Sequence, residues 1–168
     1  MSCVGRERVF EYFSRSLKTP IALVRLNYAC DLRYGVLVDL ARQVWNDEAI
    51  DVTMGYFNTI WQGDANVQTL RAFGLAASPP IVLNVTGPEL LSVRDVCEQF
   101  GKRWNKPVRF VGAEADSALL SNTRRAVELF GPPRVSAGQL LEWVAGWVEQ
   151  GGRSLGKPTY FESRTGRF

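Results

Sequence analysis

The chain is 168 residues long, 46% hydrophobic and 22% charged, with a net charge of +3. That is enough apolar content for the core of one domain, but no apolar run approaches the roughly 18 residues of a membrane span. Both signs of charge are interspersed, which excludes the concentrated basic face that nucleic-acid binding needs, and histidine is absent, which excludes Ser-His-Asp and Cys-His catalysis and every imidazole metal site.

Acid–base work would therefore fall to carboxylates, Lys, Tyr or Cys. Cys3, Cys30 and Cys97 form no CxxC pair, so neither a disulfide framework nor a metal site is expected. Reduced thiols point to a cytoplasmic location. Residues 1–7 lack the apolar centre of a secretory signal. No Gly-x-Gly occurs anywhere, so the dinucleotide fingerprint and the P-loop are both missing.

In chain order, Val9, Phe10, Phe13 and Leu17 fall on one side of a helix predicted over residues 4–18, ended by Lys18-Thr19-Pro20. Ile21 to Leu26 is apolar except for Arg25 and reads as a strand buried on both faces of a parallel sheet. Ligands of open α/β sheets lie beyond the carboxyl ends of the strands. Asn27 and Tyr28 stand at that end, and by spacing alone Asn27 either turns the chain, the simpler role, or faces a ligand. After a polar turn, Val36, Leu37, Leu40, Ala41, Val44 and Trp45 recur at helical spacing.

Residues 49–53 and 57–61 read as short extended pieces. Asp64 is expected to cap a helix that turns Val67, Leu70 and Phe73 inward, and Ser78-Pro79-Pro80 breaks the chain. Ile81 to Val85 is a second buried strand. Ser92 and Asp95 make a capping box for a helix carrying Val93, Val96, Cys97 and Phe100 on one face, so Cys97 reads as a small buried residue and not a nucleophile. Residues 108–111 form a third strand. Ser121 or Asn122 caps a helix with Ala126, Val127 and Phe130, stopped by Gly131-Pro132-Pro133. Ser136 and Gln139 open a last amphipathic helix with Leu140, Leu141, Val144, Trp147 and Val148 inward, ended by Gly151-Gly152. Residues 152–168 read as an irregular basic tail whose charge a solvated end explains.

Four segments in this order resemble the C-terminal half of the NAD-dependent epimerase/dehydratase family, the extended short-chain dehydrogenases that act on nucleotide sugars and related substrates. ALVRLNYA resembles the strand after the family's catalytic helix. IWQGDAN resembles its V-x-D element, with Asp64 at the Asp. PIVLNVTGPELLSVRDVCEQFG resembles the strand ending in N-V-x-G and the Ser-capped helix after it. SNTRRAVELFGPP resembles the late helix that ends in Leu-Gly and proline. The resemblance covers residues 1–151.

It implies an α/β fold, a partial Rossmann-like parallel sheet built from the C-terminal strands plus a small, mostly helical substrate-binding lobe. It also implies NAD or NADP as cofactor of intact relatives and hydride transfer with a Tyr base. The backbone of Leu26, Asn27 and Tyr28 would lie near the nicotinamide, Asn27 would bind substrate, and Arg25 would hold the strand end. The sequence departs from the family in having no glycine-rich loop and no Tyr-x-x-x-Lys. By spacing from Arg25, the family Lys falls at Cys3, its following Glu at Glu7, the residue before the Lys at Ser2, and the Tyr before Met1.

A thiol supplies neither a fixed positive charge nor the reach of Lys. The expectation is therefore a fragment or truncated member, without catalytic residues of its own, that neither holds the dinucleotide tightly nor turns over substrate alone. Its partners would be a nucleotide-sugar-like small molecule and either a second copy or the missing N-terminal half, with no nucleic acid and no membrane. A non-catalytic substrate-lobe protein and an unrelated small α/β binding module are the competing readings. The two strands, lacking neighbours, would leave an exposed edge and apolar faces that promote self-association.

Overall fold

The computed structural model describes residues 3–164; Ser2, the position ahead of Met1 and Arg167 of the tail lie outside them. The elements run α1 (Cys3–Leu17), β1 (Ala22–Leu26), β2 (Ala29–Cys30), α2 (Val36–Trp45), β3 (Ala49–Asp51), β4 (Tyr56–Phe57), β5 (Ile60–Trp61), α3 (Gln62–Ala72), β6 (Ile81–Val85), β7 (Leu91–Ser92), α4 (Val93–Trp104), β8 (Arg109–Val111), α5 (Arg124–Phe130) and α6 (Ala137–Glu149). The architecture is mixed α/β. β1 pairs with β6, β2 with β5 and β3 with β8, all parallel, while β4 and β7 are antiparallel.

The main core lies among α2, α4 and α6. Leu37, Leu40 and Val44 of α2 meet Val96, Cys97 and Phe100 of α4 and Leu140, Val144 and Val148 of α6, with Ile50, Met54 and Phe57 beneath them. The apolar periodicity of those three helices therefore found its partners, except that Trp45 remains 37% exposed and Trp147, expected inward, is only half-buried at the edge of the core. Both serines cap their helices as expected: Ser92 Oγ accepts from Asp95 N–H at 3.1 Å and Ser136 Oγ from Gln139 N–H at 3.2 Å. A smaller cluster of Ile60, Ala65 and Val85 sits under the β1–β6 pair, against Val24 and Ala29. Among the described residues no helix is long and apolar enough to cross a membrane.

Four expectations are corrected. β1 is not buried on both faces: its residues are partly to fully exposed, Leu26 at 52%. Asp64 does not cap α3, which begins at Gln62; its carboxylate turns inward to accept Val135 N–H at 2.9 Å. Val67, Leu70 and Phe73 point outward, 47%, 67% and 77% exposed, while Ala65, Gln68 and Ala72 face inward. Small side chains on the inner face let α3 approach the strands closely, and Asp64 is stable there because a backbone donor satisfies it. Likewise, of Ala126, Val127 and Phe130 only Ala126 is fully buried, and α5 is opened by Asn122 Oδ1 accepting from Arg124 N–H at 2.9 Å, with Thr123 at the cap position.

Alternation along β1 fixes what lies on each side of it. Arg25 reaches α1 on one face, donating Nε–H to Glu7 Oε1 at 2.8 Å in a bidentate pair. Ala22 and Val24 line an apolar hollow of about 160 Å³ on the other, with Thr69, Ala72 and Phe73. α1 and α3 thus cover opposite faces of the strand. Ile21 and Asn27 exchange main-chain hydrogen bonds on the β6 side, so Ala22, Val24 and Leu26 direct theirs to the other edge, where no strand pairs among the described residues.

Candidate functional site

The carboxyl end of β1 is built around a buried amide. Asn27 donates its Nδ2–H to Asn58 Oδ1 at 2.8 Å. Asn58, 6% exposed, donates Nδ2–H to Gly87 O at 3.2 Å and to Ser121 O at 2.8 Å, and accepts from Ser121 N–H at 3.4 Å. One side chain therefore ties the ends of β1 and β6 to the loop before α5. Gly87 is required in this arrangement, because a Cβ there would come within 2.0 Å of Thr59 O.

Tyr28 follows with φ +44°, in the left-handed region. Beside that turn lies a cleft of about 330 Å³, within the size range of small-molecule sites. Leu26, Tyr28 and Ala29 line it together with Tyr34, Gln62, and Gly35 and Val36 at the amino end of α2. Gly35 has φ +129°, and a Cβ on it would meet Cys30 Sγ at 2.8 Å. The close approach and the backbone angle both demand glycine.

The last wall, Thr159, comes from the tail. Thr159 N–H and Oγ1–H both donate to Asp39 Oδ2, each at 2.7 Å. Tyr28 OH donates to Phe161 O at 3.4 Å, and Phe161 itself is buried against Phe57. The tail's backbone is thus anchored to the body, and while Arg153 and Lys157 face solvent as the sequence suggests, Arg164 departs from that expectation by donating to Ser117 Oγ at 3.0 Å and to Thr53 O at 3.3 Å.

Burial, helped by the charge of Glu162, raises the Tyr28 pKa above 10.0, so the phenol stays protonated near neutrality. Burial raises Asp39 above 3.8, opposed by its two bonds from Thr159 and by the charge of Arg42. Cys30 and Cys97 are pushed up to about 12 by burial, consistent with an apolar structural role for Cys97. The cleft lining includes no carboxylate, amine or thiol. Cys3, at the first turn of α1, is exposed and accepts a hydrogen bond at 3.6 Å from Arg6. Among the described residues no cluster is placed to hold a metal.

Of the three residues singled out at the strand end, Leu26 and Tyr28 line the cleft, whereas the Asn27 side chain is committed to Asn58. Sequence reasoning missed Tyr34, Gln62, Asp39 and Thr159. Gly35 ahead of an apolar helix was a usable signal for the turn; nothing local marks Thr159, which reaches the cleft across 120 positions of separation from Asp39.

No protein-family model matches the chain, and no curated protein matches it. Solved structures do. UDP-glucuronic acid 4-epimerase from Bacillus cereus in complex with NAD aligns at TM-score 0.68 and 19% identity, over 86% of this chain and 49% of that one. UDP-glucose 4-epimerase from Thermotoga maritima with UDP-glucose aligns at 0.70 and 15%, over 88% and 52%. dTDP-glucose 4,6-dehydratase from Bacillus anthracis in complex with NAD aligns at 0.67 and 14%, over 86% and 49%. The fold is therefore part of a Rossmann-like epimerase fold, and the chain spans about half the length of the structures it matches.

Proposed function

We propose that this chain is the substrate-binding half of an NAD(P)-dependent epimerase/dehydratase, and that its cleft takes the sugar nucleotide. The observation that carries the reading is the cleft at the carboxyl end of β1 within a fold shared with sugar-nucleotide epimerases. Two tyrosine rings and an amide suit a planar base or a sugar ring, and the amino end of α2 favours an anionic group such as a diphosphate. In this role Leu26 and Tyr28 border the place where the reacting sugar meets the cofactor, and Asn27 holds the wall in position through Asn58.

The residues present do not fit a whole dinucleotide. They include no glycine-rich loop and no Tyr-x-x-x-Lys, so no step through the cofactor is assigned to them. Isomerase or oxidoreductase chemistry belongs, in this reading, to an assembly that also contains a dinucleotide-binding sheet. The strand edge of β1, flanked by α1 on one face and α3 on the other, supports that requirement. A second reading, a non-catalytic lobe that binds a nucleotide sugar or a protein partner, is favoured by a cleft lining that holds no carboxylate, amine or thiol beside its two tyrosines.

Calorimetric titration of the chain with UDP-glucuronic acid, UDP-glucose, dTDP-glucose and NAD tests the proposal, with turnover followed by NMR. The expected result is binding of a sugar nucleotide, weak or no binding of NAD, and no turnover by the chain alone. Failure of all three sugar nucleotides to bind overturns the site, and turnover without an added partner overturns the assignment of the chemistry to a larger assembly.

A further inference from the structure

Residues 153–164 contain neither helix nor strand, and their internal bonds are local turns such as Gly156 N–H to Ser154 Oγ and Ser163 N–H to Tyr160 O. Their path is fixed by what they touch. Leu155 N–H donates to Arg33 O at 3.0 Å, Thr159 grips Asp39 twice, the Phe161 ring is 4% exposed and lies 6.0 Å from that of Phe57, and Arg164 donates to Ser117 Oγ at 3.0 Å. The segment therefore spans from the turn before α2 to the loop before α5, and at Thr159 it forms part of the cleft lining. Two of its hold points are cleft walls: Thr159 belongs to the segment itself, and Tyr28 donates to the Phe161 carbonyl.

We propose that residues 153–164 form a strap that retains the ligand of this cleft, with Phe161 as its fixed anchor and the Asp39–Thr159 pair as its latch. Asp39 is a positioning residue: it acts on the ligand through Thr159. A segment held by a few discrete contacts, with no secondary structure of its own, opens locally at lower cost than the α2–α4–α6 core. Because the latch residue is also a wall, a ligand in the cleft and the closed strap favour one another, and opening governs escape more than entry. The inference rests on the cleft being the sugar-nucleotide site.

Hydrogen exchange on the full chain, with and without UDP-glucuronic acid, tests it. Asp39→Ala is expected to speed exchange of the 155–161 amides by about tenfold or more, the scale of one charge-assisted hydrogen bond, while the core amides of α2, α4 and α6 keep their protection. Asp39→Asn, which retains an acceptor oxygen, is expected to restore most of it. Thr159→Val provides the same test should Asp39→Ala fold poorly. UDP-glucuronic acid should slow strap exchange in the wild type and dissociate about tenfold faster from Asp39→Ala.

Unchanged strap exchange in both Asp39→Ala and Thr159→Val overturns the latch, as does loss of core protection in step with the strap. Equal dissociation rates from wild type and Asp39→Ala overturn ligand retention while leaving the site reading intact. If UDP-glucuronic acid protects no residue of the wild type, the site reading fails, and ligand retention with it, whatever the latch variants show.

Discussion

Asn58 is the most informative residue to change, because its geometry predicts different outcomes for two small substitutions. Its amide donates to Gly87 O and Ser121 O and accepts from Asn27 and Ser121. Asn58→Ala removes three well-formed hydrogen bonds at about 1 kcal/mol each and leaves their partners buried, a loss of about 3 kcal/mol. Asn58→Asp keeps the shape and the accepting oxygen but sets a carboxylate against two carbonyl oxygens in a nearly sealed position. Its cost at pH 7 is expected to match or exceed that of Asn58→Ala.

Lowering the pH separates the two further. Burial and the facing carbonyls raise the pKa of the new carboxyl, so it protonates in mildly acidic buffer and regains one donor. Asn58→Asp then recovers part of its stability relative to the wild type, and Asn58→Ala recovers none. Urea unfolding reads this directly: with an m-value of about 2 kcal/mol/M, a 3 kcal/mol loss moves the midpoint by about 1.5 M, against a total stability on the order of 5–15 kcal/mol. An Asn58→Asp variant as stable as wild type at pH 7 would refute the donor assignment and, with it, the account of how the ends of β1 and β6 are joined.

Three further outcomes are expected. With Cys30 and Cys97 buried and raised to about 12, a thiol reagent at pH 8 should modify Cys3 alone in the native chain and all three cysteines in urea; rapid native modification of Cys97 would overturn its assignment to the core. Asp39 has a folded-state pKa above its ordinary 3.8, so its ionised form opposes folding. Asp39→Asn should be more stable than wild type above the raised pKa, and the advantage should vanish as pH falls below about 3.8; a difference that does not change with pH contradicts this. Finally, Val9, Phe10, Phe13 and Leu17 are each roughly half or more exposed, so the chain should elute in gel filtration above its 18.8 kDa monomer mass, and Phe10→Glu with Phe13→Glu should shift it toward the monomer. A monomeric wild type would remove this surface from the argument.

How much was legible depended on whether an element met its partner inside the chain. α2, α4 and α6 showed clean apolar stripes and bury those stripes against one another, and the Ser92 and Ser136 caps were readable because a cap is a contact three residues long. Two apolar runs marked β1 and β6 as strands of a parallel sheet, though not that they pair with each other. The resemblance of the ordered segments pointed to the right fold although no single motif was distinctive. The cleft was half legible: Leu26 and Tyr28 follow from the rule that strand ends bind ligands, but Gln62 and Thr159 arrive through tertiary contacts without any local pattern. The Asn27 bond to Asn58 was not legible, since its partner lies 31 positions away in an extended stretch.

α1 and α3 explain the remaining errors together. Periodicity identifies the apolar side of a helix but not whether the chain supplies anything to cover it. In α1 only Ser14 is buried, and the helix is held by the Arg25–Glu7 pair and by Ser78 Oγ–H on Ser14 O at 2.7 Å. In α3 Ala65, Gln68 and Ala72 face inward, while Leu70 and Phe73 are exposed. These two uncovered surfaces lie on opposite faces of the same strand, whose outer edge carries the main-chain groups of Ala22, Val24 and Leu26. Strands of a parallel sheet are covered on both faces, and β1 has α1 and α3 on its two faces while, among the described residues, no strand pairs with its outer edge. An open parallel edge between two covering helices suits another strand of the same sheet, which accords with the half-length span of this chain against the sugar-nucleotide epimerases.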